Sequence, residues 1–244
     1  MSIRSSLHSI LRAAGIEVHR YRSHKPFEGE LFAKYEVDAV FDIGANIGMS
    51  AEGFRAFGYG GLIVSFEPVE NLFSELAARA AADNRWHAEK LALGASPASS
   101  VIHVSGGHGG ASSLLEMTPL VRELAPDQAV THSQPVTVST VDLMSEKHYP
   151  TGDRLFLKLD VQGYEARVLE GAKNTLPRVV GIRLELGLVE SYRGELLLHE
   201  VLPSLYARGF RAVAIDPAWI DSRTSELLQL NVTLFRVDRL ASGE

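Results

Sequence analysis

Three stretches of this chain set acidic residues beside glycines in patterns that could do chemistry. Asp42-Ile43-Gly44-Ala45-Asn46-Ile47-Gly48 follows an apolar run and opens a helical pattern. Small residues at such a turn let the main chain approach a ligand closely, and free N–H groups at a helix start favour anionic oxygens. Both features suit an adenine-containing cofactor. A dinucleotide fingerprint requires glycine at 44, 46 and 49, whereas this chain has Gly44, Asn46 and Met49, which disfavours NAD. Asp42 suits a ligand carrying an ammonium as well as a carboxylate, as S-adenosylmethionine does, better than a pyrophosphate that its charge would repel. Taken alone, the stretch is also compatible with an ordinary glycine-rich turn.

The second stretch is Phe66-Glu67-Pro68, in which Glu67 comes 23 residues after Gly44. A carboxylate at the end of a second strand can take both ribose hydroxyls of an adenosine, although an isolated one would as readily cap the next helix. The third runs from Leu157 to Ala172 and reads as strand, turn and helix, with Asp160 where the strand ends. Ligands of doubly wound sheets bind beyond strand carboxyl ends, so Asp160 is the leading candidate for the reaction site. Lys158 shares a strand face with Asp160 and, if buried, needs a carboxylate partner. Glu165 reads as the first-turn acid of the following helix, and Glu185, ending the next strand, can approach Asp160.

These residues need a rigid frame. The 244 residues suffice for one sizeable α/β domain, and the absence of cysteine excludes a disulfide scaffold, a thiolate metal site and a cysteine nucleophile. A net charge of −6 argues against a general nucleic-acid coat. From residue 37 short β-rich runs alternate with helical ones, the pattern of a parallel sheet covered by helices. Strands are expected at VDAVFDIGA, GLIVSFEP, WHAEKLALGAS, SVIHVSG, PVTVSTVDLM, RLFLKLDVQG, GIRLELG, FRAVAIDP and LLQLNVTLFRV. Helices are expected at NIGMSAEGFRAFG, NLFSELAARAAAD, YEARVLEGAKNTL and ELLLHEVLPSLYARG. Residues 91–115 carry no charged residue, but Gly, Ser and Pro interrupt them, so they cannot span a membrane. Residues 1–26 hold five basic residues against Glu17 alone. They read as a helix packing its apolar stripe on the domain with arginines in water, rather than as a membrane contact. The expectation is a cytoplasmic protein with a helical extension over residues 1–36 and a single domain over 37–244.

The stretches DIGANIG, FEP, LALG and especially KLDVQGYEARVLEGA resemble the FkbM family of S-adenosylmethionine-dependent methyltransferases, over roughly residues 38–236. The resemblance implies a fold similar to class I methyltransferases: a Rossmann-like, seven-stranded, mostly parallel sheet with one antiparallel strand near its end and helices on both faces. It implies O-methylation of a hydroxyl on a sugar, glycan or related natural product. By the same resemblance Asp42, Gly44, Ala45, Asn46 and Gly48 would hold the methionine end of the cofactor, and Glu67 with Pro68 its ribose. Ala92 and Leu93 would lie near adenine, and Ser112 and Ser113 near the cofactor. Asp160 would face the transferring methyl with Gln162 beside it. The family often has Glu where this chain has Gln162, so that side chain is not expected to be essential. The first helix inherits nothing.

Methyl transfer to a sugar hydroxyl calls for a base. Asp160 is the first candidate and His108 the second, because imidazole titrates near neutrality; Glu185 completes the set. Asp160 and Glu185 could together hold Mg²⁺, yet paired sheet-end acids are often only hydrogen-bonded, and no metal is expected to be required. The Gly/Ser stretch around His108 and the segment Pro217–Glu226 are expected as acceptor-contacting loops, with Trp219 as a stacking plane. The expected partner is a small-molecule or glycan acceptor rather than nucleic acid; the oligomeric state is left open. Two alternatives stand beside this one: a nucleotide-binding oxidoreductase, which should show the missing glycine pattern, and a non-catalytic cofactor-binding module, against which Asp42, Glu67 and Asp160 argue.

Overall fold

The computed structural model describes residues 24–240, so the basic N-terminal stretch lies outside the described residues up to position 23. Short apolar runs become strands buried on both faces, as parallel sheets require. In chain order the strands are β1 (Ala39–Ile43), β2 (Leu62–Phe66), β3 (Trp86–Glu89), β4 (Ala92–Leu93), β5 (Ala98–Ser105), β6 (Val130–Ser139), β7 (Leu155–Leu159), β8 (Val179–Gly187), β9 (Phe210–Ile220) and β10 (Leu227–Arg236). The helices are α1 (His24–Lys34), α2 (Met49–Ala56), α3 (Glu70–Ala80), α4 (Pro119–Leu124), α5 (Val141–His148), α6 (Glu165–Glu170) and α7 (Leu198–Ala207).

The main sheet has seven strands in the order β3-β2-β1-β7-β8-β10-β9. All pairs are parallel except those of β10, which runs against both β8 and β9. This is the Rossmann-like sheet expected from the sequence. The chain winds outward from β1 to β3 and then crosses back to β7, so the strand order reverses between β1 and β7. A crevice opens beyond the carboxyl ends of the strands at such a switch point. Side-chain alternation along β1 and β7 divides the core in two. Phe41, Ile43, Leu157 and Leu159 pack with Val168 of α6 and Val201 and Leu205 of α7. Val40 and Phe156 pack with Phe32 of α1, Phe54 of α2 and Leu76 of α3.

Several elements differ from expectation. WHAEKLALGAS is not one strand: β3 joins the main sheet, while β4 pairs with β6 in a separate three-stranded sheet, β4-β6-β5, that flanks the crevice. PVTVSTVDLM stops being a strand at Ser139, because the Thr140 hydroxyl accepts the Leu143 N–H at 3.2 Å and starts α5. The helix at YEARVLEGAKNTL ends at Glu170; Gly171 lies so close to the Gly94 carbonyl that a Cβ there would sit 2.0 Å from its oxygen. The segment Pro217–Glu226 is a loop only from Asp221 onward, because β9 runs through Ile220 and carries Trp219 on an edge strand. α4 was not read from the sequence at all. Among the described residues no helix is long and apolar enough to cross a membrane.

Candidate functional site

The reversal between β1 and β7 is held together by a buried polar row. Ser65, Asp42 and Lys158 are register partners across β2, β1 and β7, and therefore share one face. The Trp86 indole N–H donates to Ser65 Oγ at 2.9 Å, and Ser65 Oγ donates to Asp42 Oδ2 at 3.4 Å. Lys158 Nζ lies 3.0 Å from Asp42 Oδ1 and 3.5 Å from Asp160 Oδ2, and donates to the Gly44 carbonyl at 2.8 Å. Burial works against the Lys158 charge, but Asp42 and Asp160 outweigh it and raise its pKa. The partner that a buried Lys158 demands is thus Asp42 first. Asp42 is wholly buried and is not among the residues lining the cleft described below; it was expected at the methionine end of the cofactor.

Above this row the β1 turn carries the main chain into the crevice. Gly44 has φ +74° and a Cβ there would stand 1.9 Å from the Asp160 carbonyl oxygen, so no other residue fits without displacing β7. Asn46 is left-handed at φ 49°, and its side-chain amide donates to the His108 carbonyl at 3.2 Å. Glu67 is only 5% exposed; its Oε2 accepts the Asn46 N–H at 2.8 Å and its Oε1 the Val69 N–H at 2.9 Å. Burial pushes the Glu67 carboxyl up to about 7, against the two backbone N–H bonds that lower it.

These groups border a cleft of about 680 Å³, open solvent at its mouth included. Gly44, Asn46, Glu67, Pro68, Ala92, Leu93 and Asp160 line it, as do Ser112 and Ser113. Nine residues expected at or near the cofactor are thus brought together. Ala45 and Gly48 stand outside it: Ala45 packs into the core and Gly48 abuts the Trp86 ring. The His108 side chain does not line it either, because the left-handed residue contributes its carbonyl to Asn46 and leaves Gly109 and Gly110 on the wall. The donor set fits S-adenosylmethionine: a carboxylate at the end of β2, an apolar wall from Leu93 and Ile102, and a main-chain turn that carries no side chain at Gly44.

A family model for the methyltransferase FkbM domain matches residues 42–212. The chain belongs to the FkbM methyltransferase family. Its members are S-adenosylmethionine-dependent methyltransferases, as the resemblance implied. No curated protein matches the chain significantly. Similar solved structures include a protein of the NADB-Rossmann superfamily from Streptococcus agalactiae, with TM-score 0.46 and 10% identity over 90% of this chain and 70% of that one. A candidate S-adenosylmethionine-dependent methyltransferase from Listeria monocytogenes gives TM-score 0.46 and 8% identity over 87% and 97%. The human methyltransferase 10 domain containing protein gives 0.42 and 12% over 96% of each.

This FkbM-family chain has a second cleft, of about 650 Å³ and open to solvent, beside the first. Glu185 belongs to it rather than to the first cleft, together with Tyr192, Trp219, Gln229 and Val121 of α4. Gln162 lines both clefts. Its amide Nε2 donates to Asp160 Oδ1 at 2.8 Å and to Glu185 Oε2 at 2.7 Å, so the two sheet-end acids meet through an amide. Burial, then the Asp160 charge, raises the Glu185 pKa above the usual carboxylate range. Beneath them Glu165 is buried and accepts the Val161 N–H at 3.0 Å, so it fixes the turn from inside rather than serving only as a surface first-turn acid. Burial pushes it to about 8. Tyr192 and Gln229 were missed by sequence reasoning; Tyr192 sits in an irregular loop with no periodicity to mark it. Among the described residues no cluster of three or more His, Asp or Glu side chains is arranged to hold a metal.

Proposed function

We propose that this chain transfers a methyl group from S-adenosylmethionine to a hydroxyl of a neutral, sugar-like acceptor. The observation that carries this reading is the second cleft. It joins the cofactor cleft at Gln162, has Glu185 in its wall, and is bounded by no Lys or Arg among the described residues. A phosphate backbone is bound through cations, so such a cleft favours an uncharged polyol over nucleic acid. Trp219, half-buried in the cleft wall, supplies a flat apolar surface for a sugar face, and Gln128 supplies a polar group for its hydroxyls.

When bound, S-adenosylmethionine supplies an electrophilic methyl carbon on a sulfonium. The main chain at Gly44–Asn46 would seat its methionine end, the Glu67 carboxylate its ribose hydroxyls, and Ala92, Leu93 and Ile102 its adenine. Positioning of the two reactants accounts for much of the rate of such an in-line displacement. Asp160 borders the cofactor cleft and Glu185 the acceptor cleft, so Glu185 takes the acceptor proton. Its upward-shifted pKa suits a base working near neutrality.

The test is transfer of labelled methyl from S-adenosylmethionine to a panel of neutral mono- and oligosaccharides, with RNA as a parallel acceptor. Label is expected on a sugar hydroxyl, with Glu185→Gln slowing transfer by roughly 10² to 10⁴. Label on RNA alone, or full-rate transfer by Glu185→Gln, contradicts the reading.

A further inference from the structure

Both amide protons of Gln162 are engaged, and its Oε1 accepts one further bond. Its two amide protons go to Asp160 and Glu185, at 2.8 and 2.7 Å, and its Oε1 accepts the Tyr192 hydroxyl at 2.8 Å. Its own carbonyl accepts Ser113 Oγ at 2.7 Å, and its backbone is held left-handed at φ 54°. Four separate parts of the chain therefore fix one residue: the ends of β7 and β8, the loop carrying Tyr192, and the loop carrying Ser113. An amide with both donors spent on carboxylates has none left for an acceptor molecule. It works on the acids instead.

Asp160 and Glu185 stand at the ends of adjacent parallel strands, where two carboxylates at close range either share a proton, bind a cation or repel. Lys158 serves Asp160 at 3.5 Å and is already engaged with Asp42 and Gly44. Between the acids, the Gln162 amide is the group that donates to both at once. We infer that Gln162 is a positioning residue whose carboxamide stands in the place of a divalent cation, aiming Asp160 and Glu185 at the junction of the two clefts without a metal. This inference rests on the proposed use of Glu185 toward the acceptor. It also reverses the expectation that this side chain is dispensable.

The substitution Gln162→Glu changes the shape of the side chain least and replaces both donors by acceptors. It leaves three carboxylates around the vacated point, and divalent-cation affinity rises with ligand charge count. The experiment is a Mn²⁺ titration of the full chain followed by electron paramagnetic resonance, on wild type, Gln162→Glu, Gln162→Ala and the double variant Gln162→Glu, Glu185→Gln. S-adenosylhomocysteine calorimetry on each reports the integrity of the cofactor cleft.

Gln162→Glu is expected to bind one Mn²⁺ at least about tenfold tighter than wild type. The double variant should lose that site. Gln162→Ala, which opens the gap without adding charge, should also bind more tightly than wild type, and it decides the matter if Gln162→Glu fails to fold. Wild type binding Mn²⁺ as tightly as Gln162→Glu overturns the inference, since a cation would then sit there beside the amide. So does a Gln162→Glu protein that still binds S-adenosylhomocysteine but gains no Mn²⁺ affinity. Failure of wild type to bind S-adenosylhomocysteine would instead overturn the functional reading, and the Mn²⁺ comparison would stand apart from it.

Discussion

Glu67 ends β2 with its carboxylate almost out of water, held by the N–H groups of Asn46 and Val69. Unfolded, a glutamate ionises near pH 4.3; in the folded chain Glu67 does so at about 7 and Glu165 at about 8, with burial as the main cause in both. From about pH 5 to pH 8 the folded protein therefore holds more protons than the unfolded chain, and stability falls as pH rises through that window. A ribose diol donates to the ionised carboxylate, so cofactor binding draws Glu67 toward its charged form. S-adenosylhomocysteine should then raise the melting temperature more at pH 8 than at pH 6, on top of a free protein that melts lower at pH 8. An equal shift at both values, or a larger one at pH 6, would remove Glu67 from the ribose site. The sequence marks Glu67 by its place after a β-rich run, but its ionisation depends on how deeply tertiary packing buries it, which no local pattern shows.

β1 and β7 are separated by more than a hundred residues, yet they form the seam on which the site depends. Lys158 bridges that seam, reaching Asp42 and the Gly44 carbonyl on one strand and Asp160 on its own. Lys158→Met keeps an unbranched side chain one atom shorter and leaves Asp42 buried without its cationic partner, at an expected cost of about 3–5 kcal/mol. Thermal denaturation should register roughly a 10 °C drop for a chain of this size. The double variant Asp42→Leu, Lys158→Met should recover most of the loss, since apolar pairs commonly replace buried ion pairs. A single variant within about 1 kcal/mol of wild type would show that the seam does not rest on this pair. The strands of the main sheet were legible because apolar runs of that kind have few other uses. The break inside WHAEKLALGAS was not, because β4 owes its sheet to pairing with β6, some 45 residues later. α4 escaped notice because its six residues are too few to show helical periodicity.

Taken whole, the molecule sets two clefts on either side of Gln162, to which the proposed function assigns cofactor and acceptor, and α1 lines neither. The sequence disclosed the first cleft nearly complete, since its residues lie in short contiguous turns at strand ends. It did not show that the Asp42 side chain is buried against Lys158, a direction set by strand register, and it placed Glu185 beside Asp160 without disclosing that the two acids face different clefts. The second cleft is assembled from α4, β9, β10 and the Tyr192 loop, four segments that only the tertiary fold brings together. The central claim is that the first cleft is an S-adenosylmethionine site organised by Glu67. Its most direct test is calorimetric titration of the full chain with S-adenosylhomocysteine, beside NAD and beside the Glu67→Ala variant. The account predicts one saturable site for S-adenosylhomocysteine, none for NAD, and at least about tenfold weaker binding in Glu67→Ala, a loss of about 1.4 kcal/mol or more. Saturable NAD binding, or undiminished S-adenosylhomocysteine affinity in a folded Glu67→Ala protein, would contradict it.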